Sequence, residues 1–405
     1  MSTENWFPLW QGARLEISKT PHRLVMKSKT IFFLTALLLQ TTIFAQVSYS
    51  GTINDIENQQ SLPYVNIGIL NKGIGTVTDE LGRFSLNIWG DNIKPTDTLQ
   101  ISSLGYRTIK MTVEEIDLPS SNDKVIYMEP FVEELNEVII SNKGYVPIIE
   151  SVGYRNQGED NYGYWKDNIA LGGELATKIK VNKKRRRLET FEFEIAKNSA
   201  DSLLIRVNFY DNNWQLGIPK SNLNTSKKSI LYKLKKDEIV VRIDVSPYDI
   251  YVEDDFYVSL ELVDLYDNDD LELVLAATGS LEGSYRKYAS QGDWEKISDL
   301  NMAFYVETMI MVDQKKAVKH QAKIEKEKLK QRMIAGFAIY GGKMIQGVTV
   351  LNKRTKEIVS TDASGRYTIH ADDKDLLYFT KSGYEKEVVQ IGDEQFVNAN
   401  MQKTN

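Results

Sequence analysis

From Phe191 the chain alternates. Phe191-Glu192-Phe193-Glu194-Ile195 sends every second side chain to one face, and Leu203, Ile205, Val207 and Phe209 oppose Leu204, Arg206, Asn208 and Tyr210. The pattern returns in Ile239, Val241, Ile243, Val245, in Phe256, Val258, Leu260, Leu262, and in Met302, Phe304, Val306, Ile310, Val312. Successive side chains of a strand point to opposite faces, so these runs predict antiparallel strands with one buried and one polar face. About eight such strands between 160 and 312, with no helical period among them, predict a central antiparallel sandwich of jelly-roll type. Val47 to Met128 is also β in texture, with short β-branched runs broken by Gly, Asn and Asp. Residues 314–333 are helix formers instead. Their apolar positions Ala317, Ile324, Leu329 and Met333 make no wide stripe, which predicts a charged, solvated helical linker over 313–335.

A short phrase occurs twice. Thr78-Asp79-Glu80-Leu81-Gly82-Arg83-Phe84 returns as Thr361-Asp362-Ala363-Ser364-Gly365-Arg366-Tyr367. Val65, Ile67 and Ile69 precede the first copy at the distance by which Val348 and Val350 precede the second. Asp97-x-Leu99-x-Ile101 leads to Gly105-Tyr106 as Asp375-x-Leu377-x-Phe379 leads to Gly383-Tyr384. A repeat matching at separated points with fixed spacing marks two copies of one unit. Within each phrase, Thr78, Asp79 and Gly82 (Thr361, Asp362 and Gly365) predict a hairpin turn. Asp accepts hydrogen bonds from amides two or three residues on, and Gly takes the positive φ that closes the loop.

The first copy, Gly51 … Leu62-Pro63-Tyr64-Val65-Asn66-Ile67 … Gly75-Thr76-Val77-Thr78-Asp79-x-x-Gly82-Arg83-Phe84 … Gly105-Tyr106, resembles the carboxypeptidase-regulatory-like domain. The resemblance implies a small transthyretin-like β-sandwich. It also implies a context, since such domains stand beside metallocarboxypeptidase catalytic domains and at the N-termini of TonB-dependent outer-membrane receptors. The second copy is shorter, lacks the proline and is divergent. After the first domain, Glu134-Leu135-Asn136-Glu137-Val138-Ile139-Ile140-Ser141 is similar to the TonB box of those receptors. Leu135, Glu137, Val138, Ile139 and Ile140 are the candidate partner strand, captured by edge pairing. Too little chain follows for the barrel of a receptor, and a plain linker strand is the simpler reading.

The expected layout is all-β: an N-terminal extension and signal peptide (1–45), a regulatory-like sandwich (46–130), a linker with the TonB-box-like strand (131–159), the central sandwich (160–312), the helical linker (313–335) and the divergent second copy (336–405). Lys27 and Lys29 before Ile31–Leu39, with Ala45 at the cut, have the basic, apolar and small-residue regions of a secretory signal, and Met26 is an alternative start. The signal implies export, and the resemblance to the N-terminal extension of TonB-dependent receptors implies the Gram-negative envelope, in the periplasm or on the outer membrane and cell surface, with no transmembrane helix expected after cleavage. The chain has no cysteine, so disulfides and a lipidated cysteine are excluded. A net charge of −6 gives no reason to expect nucleic acid.

Candidate chemistry is sparse. A zinc carboxypeptidase pairs His-x-x-Glu with a distant His. Here His320 is followed at the third position by Lys323, and His370 by Asp373. No nucleophile elbow or phosphate-binding glycine loop appears, and no cofactor or metal is expected. Asp267-Asn268-Asp269-Asp270 and Asp372, Asp373, Asp375 offer oxygen ligands for Ca²⁺ but lack an EF-hand pattern, and solvated loops are the plainer reading. Lys183–Arg187 fits an anionic surface or, more simply, a hairpin tip. Tyr162, Tyr164, Trp165, Tyr210 and Trp214 form a candidate sugar-stacking platform, with core or edge packing as the alternative. The function expected is therefore non-enzymatic: exported β-sandwich modules that bind an envelope protein or glycan. The alternative is an accessory of TonB-dependent uptake docking through 134–141, and a glycan-active enzyme is a distant third.

Overall fold

The alternation becomes two sheets that face each other. In this computed structural model, residues 47–88, 93–116, 124–131, 144–156, 161–165, 171–213, 215–266, 271–279, 282–297, 300–330 and 332–404 are described. The expected signal segment, the 134–141 strand, the Asp267–Asp270 loop and Trp214 lie outside them. One sheet has seven strands, in the order Ile218–Asn222, Ser202–Asn213, Phe256–Tyr266, Glu174–Ile179, Ser284–Lys287, Glu295–Ile297. Ile230–Lys235 also pairs with Ser202–Asn213. The other has eight, built on Leu300–Met302, Leu273–Gly279, Arg186–Asn198, Tyr305–Asp313 and Tyr145–Gly153. Ile205, Val207, Phe209, Val258 and Leu260 of the first meet Phe191, Phe193, Leu275, Phe304 and Val306 of the second in one core. Phe191 packs edge-on against Phe209 across the sandwich (6.3 Å) and against Phe304 within its own sheet (5.3 Å).

The two repeat copies have the same strand plan. In the first, Val47–Asp55 pairs antiparallel with Arg83–Ile88 and parallel with Val125–Met128. A second sheet runs Ile74–Val77, Asn66–Ile69, Thr98–Ser102, Ile109–Thr112. In the last domain, Met333–Tyr340 pairs antiparallel with Arg366–His370 and parallel with Ala399–Asn400. Its second sheet runs Ile358–Ser360, Thr349–Asn352, Leu376–Thr380, Glu387–Gln390. Each pair of sheets closes over its own apolar core.

The repeated phrase works the same way in both. The buried Thr78 hydroxyl donates to the Leu62 carbonyl and accepts from the Val65 amide, both at 2.8 Å. Thr361 does so with Ile345 (2.7 Å) and Val348 (2.9 Å). Asp79 Oδ1 accepts the amides of Leu81 and Arg83 (2.9 and 2.8 Å), and Asp362 Oδ1 those of Ser364 and Arg366 (2.8 and 3.0 Å). Gly82 and Gly365 close the turns at φ +71° and +75°, where a side chain is strained.

Three expectations change. The segment placed in the 131–159 linker contains a nine-residue strand, Tyr145–Gly153, paired along its whole length with Tyr305–Asp313. Its alternation was disguised by Pro147, which an edge strand tolerates because its missing donor faces away from the ladder. The central sheets therefore begin before 160. The helix Gln314–Lys330 is more than a free spacer, because it lies along that edge strand with His320 Nε2 2.9 Å from the Ile149 carbonyl. Finally, Lys183–Arg187 is not a solvated tip throughout. Arg186 is fully buried, donating to Glu150 (2.9 Å) and Thr308 (3.2 Å).

Replacing Thr78 or Thr361 with Val leaves one buried amide and one buried carbonyl without their partner. Each change should cost about 1–3 kcal/mol by denaturant unfolding; an unchanged midpoint would show that the hydroxyl is dispensable. The turns also predict a pH dependence. Burial alone would raise the Asp79 carboxyl, but hydrogen bonds from Arg83 and Leu81 hold it below its usual value, and the Ser364 hydroxyl and Arg366 amide lower Asp362. A carboxyl depressed in the folded state stabilises fully above its unfolded pKa of about 4 and loses that contribution as pH falls through the folded value. Between about pH 6 and pH 3, the Asp79→Asn/Asp362→Asn variant should therefore lose less Tm than the parent.

Candidate functional site

The polar side of the seven-stranded sheet carries a row of charges. Ladder pairing places Arg206 opposite Glu261, Glu261 opposite Glu174, and Glu174 opposite Lys287, so four adjacent strands present cation, anion, anion, cation in line. Like charges directly opposite one another are unfavourable, and the two outer cations compensate the inner pair. Arg206 Nη1 lies 3.2 Å from both oxygens of Glu261, and Lys287 is ion-paired with Glu174. Asn208 donates to Glu261 (2.8 Å), with Glu174 3.5 Å from the same nitrogen. Glu174 also accepts from Ser259 (2.7 Å) and Tyr210 (2.9 Å).

This face is polar, as its alternation predicts, yet it is buried. Glu174 and Glu261 are each 1% exposed and Arg206 7%. The first domain lies over them. Arg206 donates to the Tyr64 carbonyl and lies 3.4 Å from Asn66 Oδ1. Beside it, Val77 and Tyr64 pack on Leu204 and Val263. The loop after Lys287 completes the contact. Gln291 donates to Ser102 and accepts from Gln100, both at 2.7 Å. Gly68 and Gly75, paired across two strands, leave a bare strip on which the Ser290 carbonyl rests, and a Cβ at either would run into that oxygen.

Between the two domains a cavity of about 560 Å³ remains. Its walls include Glu174, Arg206, Tyr210, Glu261, Lys287 and Trp294, with the amides of Asn208, Asn222, Gln100 and Gln291. Trp294 is half-buried, stands edge-on to Tyr210 at 6.0 Å and carries the Lys287 ammonium 4.9 Å from its ring centre. Burial and the Glu174 carboxylate push the Tyr210 phenol well above its ordinary pKa, so it stays a neutral donor. The arrangement offers an aromatic surface flanked by amide donors and acceptors and a charge-balanced floor.

The aromatic residues grouped by the sequence divide between two sheets, and Trp214 lies outside the described residues. Tyr210 belongs to the seven-stranded sheet, whereas Tyr162 lies on Asn161–Trp165, which pairs with Leu273–Gly279 in the opposite sheet. Tyr164 and Trp165 share that strand. Sequence reasoning missed Trp294, which sits in no alternating run. Of the cavity's lining, Tyr210 was legible as a candidate, and the charged residues, Arg206 above all, stood at period-two positions. Asp375 is occupied by Arg354 (2.5 Å) and Asn352 (2.8 Å), and Asp372 by Arg354 (2.7 Å). Among the described residues no group of three or more acidic or histidine side chains is placed to hold a metal ion, and no helix is long and apolar enough to cross a membrane.

The eight-stranded sheet is covered too. Glu192 accepts from Arg155 (3.1 Å) and Arg242 (2.5 Å), while Glu194 is ion-paired with Lys356 of the last domain. Lys356 is 2% exposed and also donates to the Asn156 carbonyl at 3.1 Å. Burial pulls its ammonium pKa down, and Glu194 partly offsets this.

Comparison with known proteins locates the first domain. Residues 49–140 match the family model of the CarboxypepD_reg-like domain, the family whose resemblance the turn phrase carried. No curated protein matches the chain. Among solved structures, BcpA, the major pilin subunit of Bacillus cereus, is 10% identical, with 89% of this chain and 100% of that chain covered and a TM-score of 0.15. The full-length major pilin SpaD from Corynebacterium diphtheriae is 10% identical over 89% and 98%, at 0.15. A structure of carbohydrate-binding modules from the β-sandwich superfamily is 9% identical over 62% and 97%, at 0.16. Scores of this size carry no argument about function.

Removing half of a buried ion pair strands its partner. Arg206→Met should cost about 3–5 kcal/mol, whereas Arg206→Met/Glu261→Met should cost clearly less than the sum of the single changes. Additive losses in chemical denaturation would show that the two side chains do not act as a pair.

Proposed function

We propose that this protein is a non-catalytic, exported binding protein of the cell envelope whose ligand is a glycan held between the first domain and the central sandwich. The observation that carries this reading is the cavity itself, where Trp294 and Tyr210 adjoin four side-chain amides. Sugars are bound by stacking an apolar ring face on an aromatic while hydroxyls exchange hydrogen bonds with planar polar groups. Ligand pockets also favour domain interfaces and a few convergent polar groups.

A hydrolytic role is disfavoured by the state of the two glutamates. Glycoside hydrolysis needs one carboxyl that donates a proton and a second that is free to act on water or the sugar. Here Glu174 is engaged by Lys287, Tyr210 and Ser259, and Glu261 by Arg206 and Asn208. Export is supported by the sequence, through the basic and apolar segment before residue 46. Docking to the TonB machinery rests on the 134–141 sequence alone, and deletion of that segment followed by TonB co-purification separates it from glycan binding.

A glycan array probed with the chain from Gln46 onward should give a signal that Trp294→Ala and Asn222→Ala both weaken, with their thermal melts kept within a few degrees of the parent. Silence across the array, or a signal indifferent to both substitutions, would remove the glycan reading.

A further inference from the structure

The cavity does not end at Trp294. A second one, of about 530 Å³, is lined by Asn71, Gly73, Tyr288, Gly292, Asp293 and Glu295, and Asn71 and Gly292 line both. Two glycines stand where they meet, Gly292 lining both and Gly73 the second. Gly292 faces Gly73, whose Cα lies 3.7 Å from where a Gly292 Cβ would stand, and open space surrounds the Cβ position of Gly73 itself. The loop that carries Gly292 is fixed in place. Ser290 rests on Gly68 and Gly75, the Gln291 side chain bridges Gln100 and Ser102, and the Asn71 amide donates to the Gln291 carbonyl at 3.3 Å.

Each cavity has its own aromatic residue, and each ring is backed by a cation. The Lys287 ammonium lies over Trp294, and the Arg286 guanidinium lies over Tyr288, 4.5 Å from the ring centre. Tyr288 remains 40% exposed. A large exposed ring held by a guanidinium, at the open end of a polar trough, has no packing role that explains it.

Resting on the glycan reading above, we propose that the two cavities are consecutive subsites for one extended oligosaccharide. One unit sits at Trp294 and a later unit at Tyr288, with the chain passing over Gly73 and Gly292. The ligand class is then a polysaccharide bound along several units, in preference to a monosaccharide.

The test is a length series by calorimetric titration, with cello-, chito-, xylo- and polygalacturonate oligomers of two, four and six units. In whichever series binds, the six-unit oligomer should bind at least about tenfold more tightly than the two-unit one. Tyr288→Ala should abolish that gain while leaving the two-unit affinity unchanged, and Trp294→Ala should weaken every length. Affinity that is flat with length, or a Tyr288→Ala loss equal at all lengths, would overturn the subsite proposal and leave the glycan reading standing. Failure of every series at every length would overturn the glycan reading and the proposal together.

Discussion

Two glutamates directly opposite each other on neighbouring strands, each almost fully buried, are the constraint around which the rest is arranged. Neither Glu174 nor Glu261 is tolerable there alone, because an unpaired buried carboxylate costs several kcal/mol. Their ladder neighbours Lys287 and Arg206 supply the compensating charge, and Asn208, Ser259 and Tyr210 occupy the remaining oxygen lone pairs. Buried ion pairs add little net stability over an apolar core. Their effect here is on position: Arg206 has donors left over, and the Tyr64 carbonyl accepts from one of them. The first domain is thus seated in one place on the sheet, and that seat closes the cavity.

The opposite sheet uses the same principle with the roles exchanged. There the central domain supplies the buried acid, Glu194, and the flanking domain supplies the cation, Lys356. The two repeat copies share strand order, parallel closing strand and turn chemistry, yet they dock through different surfaces. The first offers the bare Gly68–Gly75 strip of its four-stranded sheet. The last offers the turn that holds Lys356 at φ +62°. Duplication fixed the scaffold, and divergence on its surface decided which face of the sandwich each copy covers.

The repeat was legible because Thr78, Asp79 and Gly82 act locally: their partners lie within one hairpin and its neighbour, so spacing alone reveals them. The core strands were legible for a related reason, since period-two alternation records which side faces apolar neighbours. What covers the other side is not written locally. Arg206 and Asn208 look like solvated positions in their own strand and become buried only when a segment some 140 residues away lies on them. Tyr210 was singled out for its aromatic ring, but it was grouped with residues of the opposite sheet because sequence proximity says nothing of sheet membership. Trp294, Gly68 and Gly75 carry no periodic signal at all.

Calorimetry of Gly68→Ala tests most directly whether the first domain and the central sandwich are welded over the charge row. The added methyl meets the Ser290 carbonyl and lifts the contact without touching a charge. A weld predicts that these two domains melt together in the parent and as separate, earlier and later transitions in the variant. A variant that melts in a single transition at the parent temperature would contradict it.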